Sequence, residues 1–336
     1  MKVIVPMAGR GSRLRPHTLT VPKPLVPVGG KPIVHRLVED IARVCASKLE
    51  EIAFIVGDFG SAVEQELLEV AAALGAKGSI HYQHEPLGTA HAVLCAAEKL
   101  EGPVVVAFAD TLFKADFQIQ PQDEGILWVK QIEDPSAFGV VQLNTAGEII
   151  DFVEKPKEFV SDLAMIGIYY FKDGARLRNE LQYLIDNNVV KGGEYQLPDA
   201  LRRLTEDGVV FKPGTVQEWL DCGNKEVTVE TNQRVLEHDQ EANRLVFDAS
   251  AVCTDSVIIQ PCYIGPGVHI TRSVVGPHVS LGAGTIVQNA NISNAIVQQN
   301  SHISNVNLSG AMIGSYASYS GKSKDVSLGD YSSVSE

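Results

Sequence analysis

The chain has 336 residues, enough for one large domain and a smaller one. Its 45 % hydrophobic and 21 % charged residues make it a globular chain rather than a disordered one. A formal net charge of -13 argues against nucleic acid and anionic membranes as partners, and no apolar run approaches the roughly 20 residues of a membrane span.

The opening residues run straight into Val3-Ile4-Val5 behind Lys2, which reads as a first strand and not a signal peptide. The 5 cysteines are scattered and form no C-x-x-C pair, so a reduced, cytoplasmic setting is expected. Strand and helix patterns then alternate. Apolar strands are predicted over 3–7, 52–56, 79–82 and 104–108, and helices over 32–45, 62–74 and 90–100. This rhythm predicts a parallel, doubly wound α/β sheet with ligands at the carboxyl ends of its strands. Strands over 126–129, 138–143, 149–153 and 165–171 should complete a mixed sheet. Helices follow over 174–186 and 196–205, then a strand pair over 209–211 and 216–220.

A polar stretch from 225 to 239 has weak helical spacing (Val229, Val235) and reads as a connecting helix. Beyond about 246, charges thin out and a six-residue pattern emerges. It runs through Ile264-Gly-Pro-Gly-Val, Val275-Gly-Pro-His-Val, Leu281-Gly-Ala-Gly-Thr, Ile313-Gly-Ser-Tyr-Ala and Leu328-Gly-Asp-Tyr-Ser. That pattern suits a parallel β-helix, the aliphatic residue pointing into a narrow prism and the glycine easing the corner. The expected domains are a catalytic domain over 1–226, a linker helix over 227–245 and a β-helix over 246–336.

Charge is unevenly placed. The first 38 residues hold Lys2, Arg10, Arg13, Arg15, Lys23, Lys31 and Arg36 and no Asp or Glu, a pattern that suits a highly charged anion such as a triphosphate. After the first strand comes Met7-Ala-Gly-Arg-Gly-Ser-Arg-Leu-Arg-Pro-His-Thr18. A Gly-rich loop in that place can aim backbone N–H groups at phosphate. A dinucleotide fingerprint fails because Leu14 and Arg15 stand where a third glycine is needed and Pro16 would disturb the helix. A P-loop fails because no Gly-Lys-Ser/Thr follows. Arg13 can place a planar fork on two phosphate oxygens. In Pro22-Lys23-Pro24 the lysine cannot lie mid-helix and is expected on a stiff extended segment that aims one cation.

These two segments together resemble the signature of the sugar-phosphate nucleotidylyltransferases, which include glucose-1-phosphate thymidylyl- and uridylyltransferases and mannose-1-phosphate guanylyltransferases. The resemblance covers residues 1 to about 226, and a hexapeptide tail is a common companion. It implies a Rossmann-like doubly wound mixed sheet followed by a C-terminal left-handed parallel β-helix, and a Mg²⁺-dependent transfer.

Residue by residue, the resemblance makes Arg13, Lys23 and Lys155 the catalytic cations. Ala8, Gly9, Gly11 and Ser12 would cradle the nucleotide. Gln83-His-Glu-Pro-Leu-Gly-Thr-Ala-His-Ala-Val93 resembles the base-reading loop. There Gln83 offers donor and acceptor to a base edge, Gly88 lets the backbone approach the ring, and Thr89 opens the next helix. On its own, Gly88-Thr89 is a capped helix start. Asp110, ending the strand Val104-Val-Val-Ala-Phe-Ala-Asp110, and Asp221 in Trp219-Leu-Asp-Cys-Gly223 resemble the two metal-binding aspartates. Two carboxylates, phosphate oxygens and waters could complete a Mg²⁺ octahedron. This chain has Ala109 where the family usually has glycine. Phe152-Val-Glu154-Lys155-Pro156 resembles the sugar-binding motif. Glu154 and Glu194 would accept from sugar hydroxyls, Lys155 would pair with the sugar phosphate, and Gly167 would leave room for the ring.

The expected reaction joins a nucleoside triphosphate to a sugar 1-phosphate and releases pyrophosphate. Glucose 1-phosphate with dTTP or UTP is favoured, with mannose 1-phosphate and GTP as the alternative. Two other classes stay open: a non-catalytic subunit that binds nucleotide-sugars, and a hexapeptide acyltransferase using His269, His278 or His302. The flat faces of a β-helix predict a homo-oligomer.

Overall fold

The computed structural model describes residues 1–9, 11–45, 48–115 and 119–322; Arg10 and the repeat expected at Leu328 lie outside them. The chain divides into two units, residues 1–26 with 31–224, and residues 27–30 with the residues from Lys225 onward.

The strands before Lys225 are β1 (Lys2–Pro6), β2 (Pro27–Val28), β3 (Lys31–Pro32), β4 (Glu51–Val56), β5 (Lys77–Tyr82), β6 (Val104–Ala107), β7 (Thr111–Lys114), β8 (Gly125–Gln131), β9 (Gly139–Leu143), β10 (Ile149–Glu154), β11 (Leu163–Phe171), β12 (Phe211–Thr215) and β13 (Glu218–Asp221). Nine of them form one mixed sheet in the order β5-β4-β1-β6-β11-β8-β12-β10-β9. β5, β4, β1 and β6 are parallel, and β11 joins β6 antiparallel. Val3, Ile4 and Val5 of β1 and Val104 and Val106 of β6 are fully buried, as strands covered on both faces must be.

Around the sheet lie α1 (Ile33–Val44), α2 (Ser61–Ala73), α3 (Thr89–Leu94), α4 (Gly174–Asp186) and α5 (Leu197–Glu206). α3 is shorter than its apolar spacing predicts, because the chain tightens into a 3₁₀ turn at Ala97–Lys99. α4 has a side-chain cap. The Asp173 carboxylate accepts from the N–H groups of Ala175 at 3.0 Å and Arg176 at 3.4 Å, which would otherwise be orphan donors.

The strand pair expected near the end of this unit does not form. β12 lies between β8 and β10 in the large sheet, parallel to β8, and β13 pairs antiparallel with β7 instead. Packing decides this. Phe211 stands edge-on to Phe152 and Phe171 at 5.8 and 6.0 Å. Gly125 makes the space, since a Cβ there would lie 2.2 Å from the Phe211 ring.

In the second unit α6 (Lys225–Glu241) buries Thr228, Thr231 and Asn232. The Asn232 side-chain oxygen accepts from the Gly29 N–H at 2.9 Å and the Ser280 hydroxyl at 2.7 Å. A helix that docks through polar groups shows little hydrophobic periodicity, which is why its sequence signal is weak.

Among the described residues, α6 is followed by a left-handed parallel β-helix of three stacked parallel sheets with five, four and four strands. Ile264, Ile270, Val275, Leu281, Val287, Ile292, Val297 and Ile303 fill its interior. A strict six-residue repeat on three faces would give about eighteen residues per coil. The observed coils are seventeen (Val252 beside His269, His269 beside Ile286) and then sixteen (Ile286 beside His302, His302 beside Ser318).

The corners absorb the difference with single left-handed residues. Asp255, Arg272, Asn289 and Asn305 stack at one of them with φ between 46 and 56°. Arg272 Nε donates to Asn289 Oδ1 at 2.8 Å, and Asn289 Nδ2 to Asn305 Oδ1 at 3.2 Å. At Gly265 and Gly282 the glycine after the aliphatic residue serves close approach, while Gly276 combines it with a φ of +112°. A Cβ on Gly282 would sit 2.6 Å from the Gln299 nitrogen, whereas Gly284 supplies the left-handed turn at φ +67°.

Removing the α4 cap leaves its folded contacts otherwise intact. Asp173→Ala is expected to cost about 1 kcal/mol, seen as a fall of about 2–4 °C in the thermal midpoint.

Candidate active site

β1 and β6 run side by side in the same direction, with Lys2 beside Val104 and Ile4 beside Val106. The loops that leave their carboxyl ends therefore emerge together, at the point where the strand order reverses. The first carries Ala8, Gly9, Gly11, Ser12 and Arg13, and the second carries Asp110.

Gly11 is left-handed at φ +56°, and a Cβ on it would lie 2.8 Å from Lys23 Cβ. The Thr18 hydroxyl donates to the Gly11 carbonyl at 2.7 Å. The chain then makes a 3₁₀ turn at Ser12–Leu14 that buries Leu14 and leaves Arg13 exposed.

Lys23 is not on an extended segment. It opens a second 3₁₀ turn, Lys23–Leu25, with Pro24 at its start, and it is only 7 % exposed. Proline fits the first turn of a helix because its missing N–H has no partner there anyway. Lys23 Nζ meets Asp110 Oδ2 at 3.0 Å.

Asp221 reaches the same place from β13. It lies opposite Thr111 in the β7 pairing, and the Cys222 N–H donates to the Asp110 carbonyl at 3.1 Å. Burial raises the Asp221 carboxyl above the ordinary range, the Asp110 charge raises it further, and Lys23 and Arg13 oppose both. Two carboxylates that repel each other beside a cation pair form an arrangement in which a divalent cation would relieve charge. Among the described residues no group of three or more His, Cys, Asp and Glu side chains could hold a metal. An ion here would complete its shell from phosphate oxygens and water.

Two cavities open at this point. One, of about 340 Å³, is lined by Ala8, Gly9, Gly11, Ser12, Lys23, Gln83 and Gly88 among others. The second, of about 300 Å³, is lined by Glu154, Lys155, Gly167 and Asp221, with Phe138, Ile166, Tyr169 and Trp219. Arg13, Thr89, Phe108, Asp110 and Glu194 line both and form the wall between them. All fifteen residues that the family resemblance assigns to the site border one cavity or the other, and His269, His278 and His302 border neither.

Several of these positions have structural reasons that differ from those expected. Gly88 is tight against protein. At φ +112°, a Cβ on it would lie 2.4 Å from the Tyr195 carbonyl. Backbone bonds hold that approach, from Tyr195 N–H to Leu87 O at 2.8 Å and from Ala90 N–H to Tyr195 O at 2.9 Å. Thr89 does not cap α3; its hydroxyl accepts from the Leu197 N–H at the start of α5, at 2.9 Å. Gly167 is required by its φ of +84°, which sits where the β11–β8 register slips between Met165 and Tyr169. Lys155 is left-handed without being glycine, at φ 43°, a strain that tends to collect at functional sites. Burial raises the Glu154 carboxyl, and Glu194 adds to this against the pull of Lys155.

The sequence reading missed the aromatic wall. Phe138 and Trp219 meet edge-on at 4.7 Å, and Trp219 Nε1 donates to Thr111 Oγ1 at 3.3 Å. The signal available was Trp219 itself, two residues before Asp221.

A sequence model of the family described as "Nucleotidyl transferase" matches residues 2–238. The chain belongs to the nucleotidyl transferase family. The low-salt glycan biosynthesis nucleotidyltransferase Agl11 of Haloferax volcanii is 33% identical over 246 residues, 70% of this chain and 66% of that protein. A glucose-1-phosphate thymidylyltransferase of Streptomyces antibioticus is 30% identical over 297 residues, 82% of this chain and 81% of that one. The bifunctional protein GlmU of Methanococcus maripaludis is 30% identical over 77% of this chain and 59% of its own length. The solved structure of a UDP-glucose pyrophosphorylase complexed with UDP-glucose shares the fold at a TM-score of 0.57, 24% identity, and 70% of this chain against 98% of that one. Among the described residues no helix is long and apolar enough to cross a membrane.

Crowding at Gly88 gives a paired test. Gly88→Ala is expected to cost about 1–3 kcal/mol by forcing the 87–90 loop off Tyr195. A Cβ on Gly9 meets nothing within 4 Å, so Gly9→Ala should stay within about 0.5 kcal/mol. Denaturant titration of the two variants reads the difference.

Proposed function

We propose that this chain transfers a nucleotidyl group from a nucleoside triphosphate to a sugar 1-phosphate, giving a nucleotide-sugar and pyrophosphate. The observation that carries the reading is the shared wall. A cation-rich cavity and a carboxylate-lined cavity meet at Arg13 and Asp110, where a phosphorus atom could face both. Placing the triphosphate in the first and the sugar phosphate in the second puts attacking and leaving oxygens on opposite sides of the α-phosphorus.

The sugar-phosphate oxygen attacks that phosphorus in line, and the bond to the pyrophosphate oxygen breaks. Such a transfer is carried by positioning and charge neutralisation and needs no covalent protein nucleophile. Arg13 and Lys23 hold the triphosphate and offset the charge that develops as pyrophosphate leaves. Lys155 places the sugar phosphate, and Glu154 and Glu194 accept from sugar hydroxyls. Asp110 and Asp221 would hold Mg²⁺, whose chemistry is to neutralise phosphate charge. Lys23 and Asp110, paired at 3.0 Å, would supply the cation for phosphate and the carboxylate for the metal.

Glucose 1-phosphate with dTTP or UTP is the favoured pair. The Streptomyces relative bears the name of such an enzyme, and Gln83 suits a pyrimidine edge. We assign the β-helix to self-association. Val246, Phe247, Val252, Val257 and Ile259 are exposed near its first coil, and sedimentation of the full chain should give more than a monomer.

A matrix of five nucleoside triphosphates against several sugar phosphates, read by pyrophosphate release with Mg²⁺, tests the reading. Release should require both substrates and peak with UTP or dTTP and glucose 1-phosphate. Release with no combination would overturn it. Arg13→Ala should lower kcat about 100-fold, the scale for losing one charge-stabilising group, while KM for the sugar phosphate moves within about threefold. Turnover near that of the parent would remove Arg13 from this role. Asp221→Asn should raise the Mg²⁺ concentration needed for half-maximal rate.

A further inference from the structure

We propose that His91 fixes which way the Gln83 side-chain amide faces, and through it which base edge the nucleotide cavity accepts. The inference rests on Gln83 being the base-reading residue, as in the proposed function. Gln83 follows the end of β5, and His91 lies eight residues on in α3. The Gln83 amide nitrogen donates to the Gly88 carbonyl at 3.2 Å and lies 3.1 Å from His91 Nδ1.

A carbonyl can only accept, so the amide NH₂ must face that side. His91 Nδ1 sees the same NH₂ and must therefore accept as well. This requires a neutral imidazole with its proton on Nε2. Burial lowers the His91 pKa, against a weaker opposite effect of the Glu85 charge, and so favours that form. Both anchors hold one nitrogen and leave the amide oxygen as the other end of the group. Gln83 lines the nucleotide cavity, and with both amide hydrogens taken by Gly88 and His91 the group it has left to offer a base is the acceptor oxygen.

An acceptor selects among bases by chemistry alone. Uracil and thymine at N3 and guanine at N1 carry an N–H that can donate to it. Cytosine N3 and adenine N1 carry a lone pair and would face it without a hydrogen bond, leaving polar groups unpaired. Turning the amide over would reverse the preference. His91 is not among the residues lining the cavity, so it is a positioning residue and acts only through Gln83.

UTP and CTP isolate the effect, because they share sugar and phosphates and differ only at this base edge. Dissociation constants for each, measured by calorimetry with Mg²⁺ on the full chain, give a preference ratio. His91→Phe keeps a ring but removes the acceptor, and should cut the preference for UTP about three- to tenfold, the scale of one hydrogen bond. His91→Asp puts an acceptor on Cγ, the atom that carries Nδ1 in histidine, and should hold the ratio within about twofold of the parent. His91→Ala carries the same expectation as His91→Phe should the phenyl ring not be accommodated. Gln83→Leu is the control for the underlying reading and should abolish the preference. If Gln83→Leu abolishes it while His91→Phe and His91→Ala leave it unchanged, the role of His91 is overturned alone. If Gln83→Leu also leaves it unchanged, the base-reading assignment itself fails. Loss of the ratio in His91→Asp as well as His91→Phe would show that the ring acts by packing, and would also overturn the proposal.

Discussion

The parallel pairing of β1 with β6 is the constraint on which the rest of the site depends. It is buried, it is continuous with β4 on one side and β11 on the other, and it sends two loops out at one place. One loop is glycine-rich and basic, and the other ends in a carboxylate. The Ala109 N–H donates to the Pro6 carbonyl at 3.3 Å and keeps the two exits together. Asp221 then arrives through β13, whose pairing with β7 is an extension of the same exit.

This geometry explains how an acidic chain tolerates a buried lysine. An isolated ammonium with 7 % exposure would be costly. Asp110 offsets that cost at 3.0 Å, yet Asp110 is half exposed and stands beside Asp221. The arrangement sets Lys23 and Arg13 against two carboxylates at one place. Removing one partner of such a pair is worse than never having it, because the other charge stays buried. On the proposed function, the ligands are the partners that complete the balance.

Much of the fold was legible because it rests on local pattern. The buried runs at β1 and β6 and the spacing in α1 and α4 follow from periods of two and 3.6. What was not legible came from tertiary packing. Phe211 drew β12 into the large sheet because Gly125 left space for its ring, and no local pattern records that distant vacancy. The proline on each side of Lys23 excluded a mid-helix position but did not distinguish an extended segment from a 3₁₀ turn. At the candidate site, the residues picked by type line two adjoining cavities, but the reasons for individual glycines did not follow. Gly88 and Gly167 look like room for a ligand, whereas backbone approach and a positive φ account for them. The β-helix corners were harder still. A six-residue rhythm is visible in the aliphatic positions, while the left-handed corner residues Asp255, Arg272, Asn289 and Asn305 recur with the coil at seventeen and then sixteen residues but share no residue type that marks them in the sequence.

The central claim is direct transfer at a wall shared by two cavities, with no nucleotide covalently attached to the protein. Exchange of labelled pyrophosphate into the nucleoside triphosphate tests it most directly. The account predicts that label enters the triphosphate only when the nucleotide-sugar is present, because the sugar phosphate must leave in the reverse step. Exchange with triphosphate alone would reveal a covalent nucleotidyl-enzyme and contradict the account.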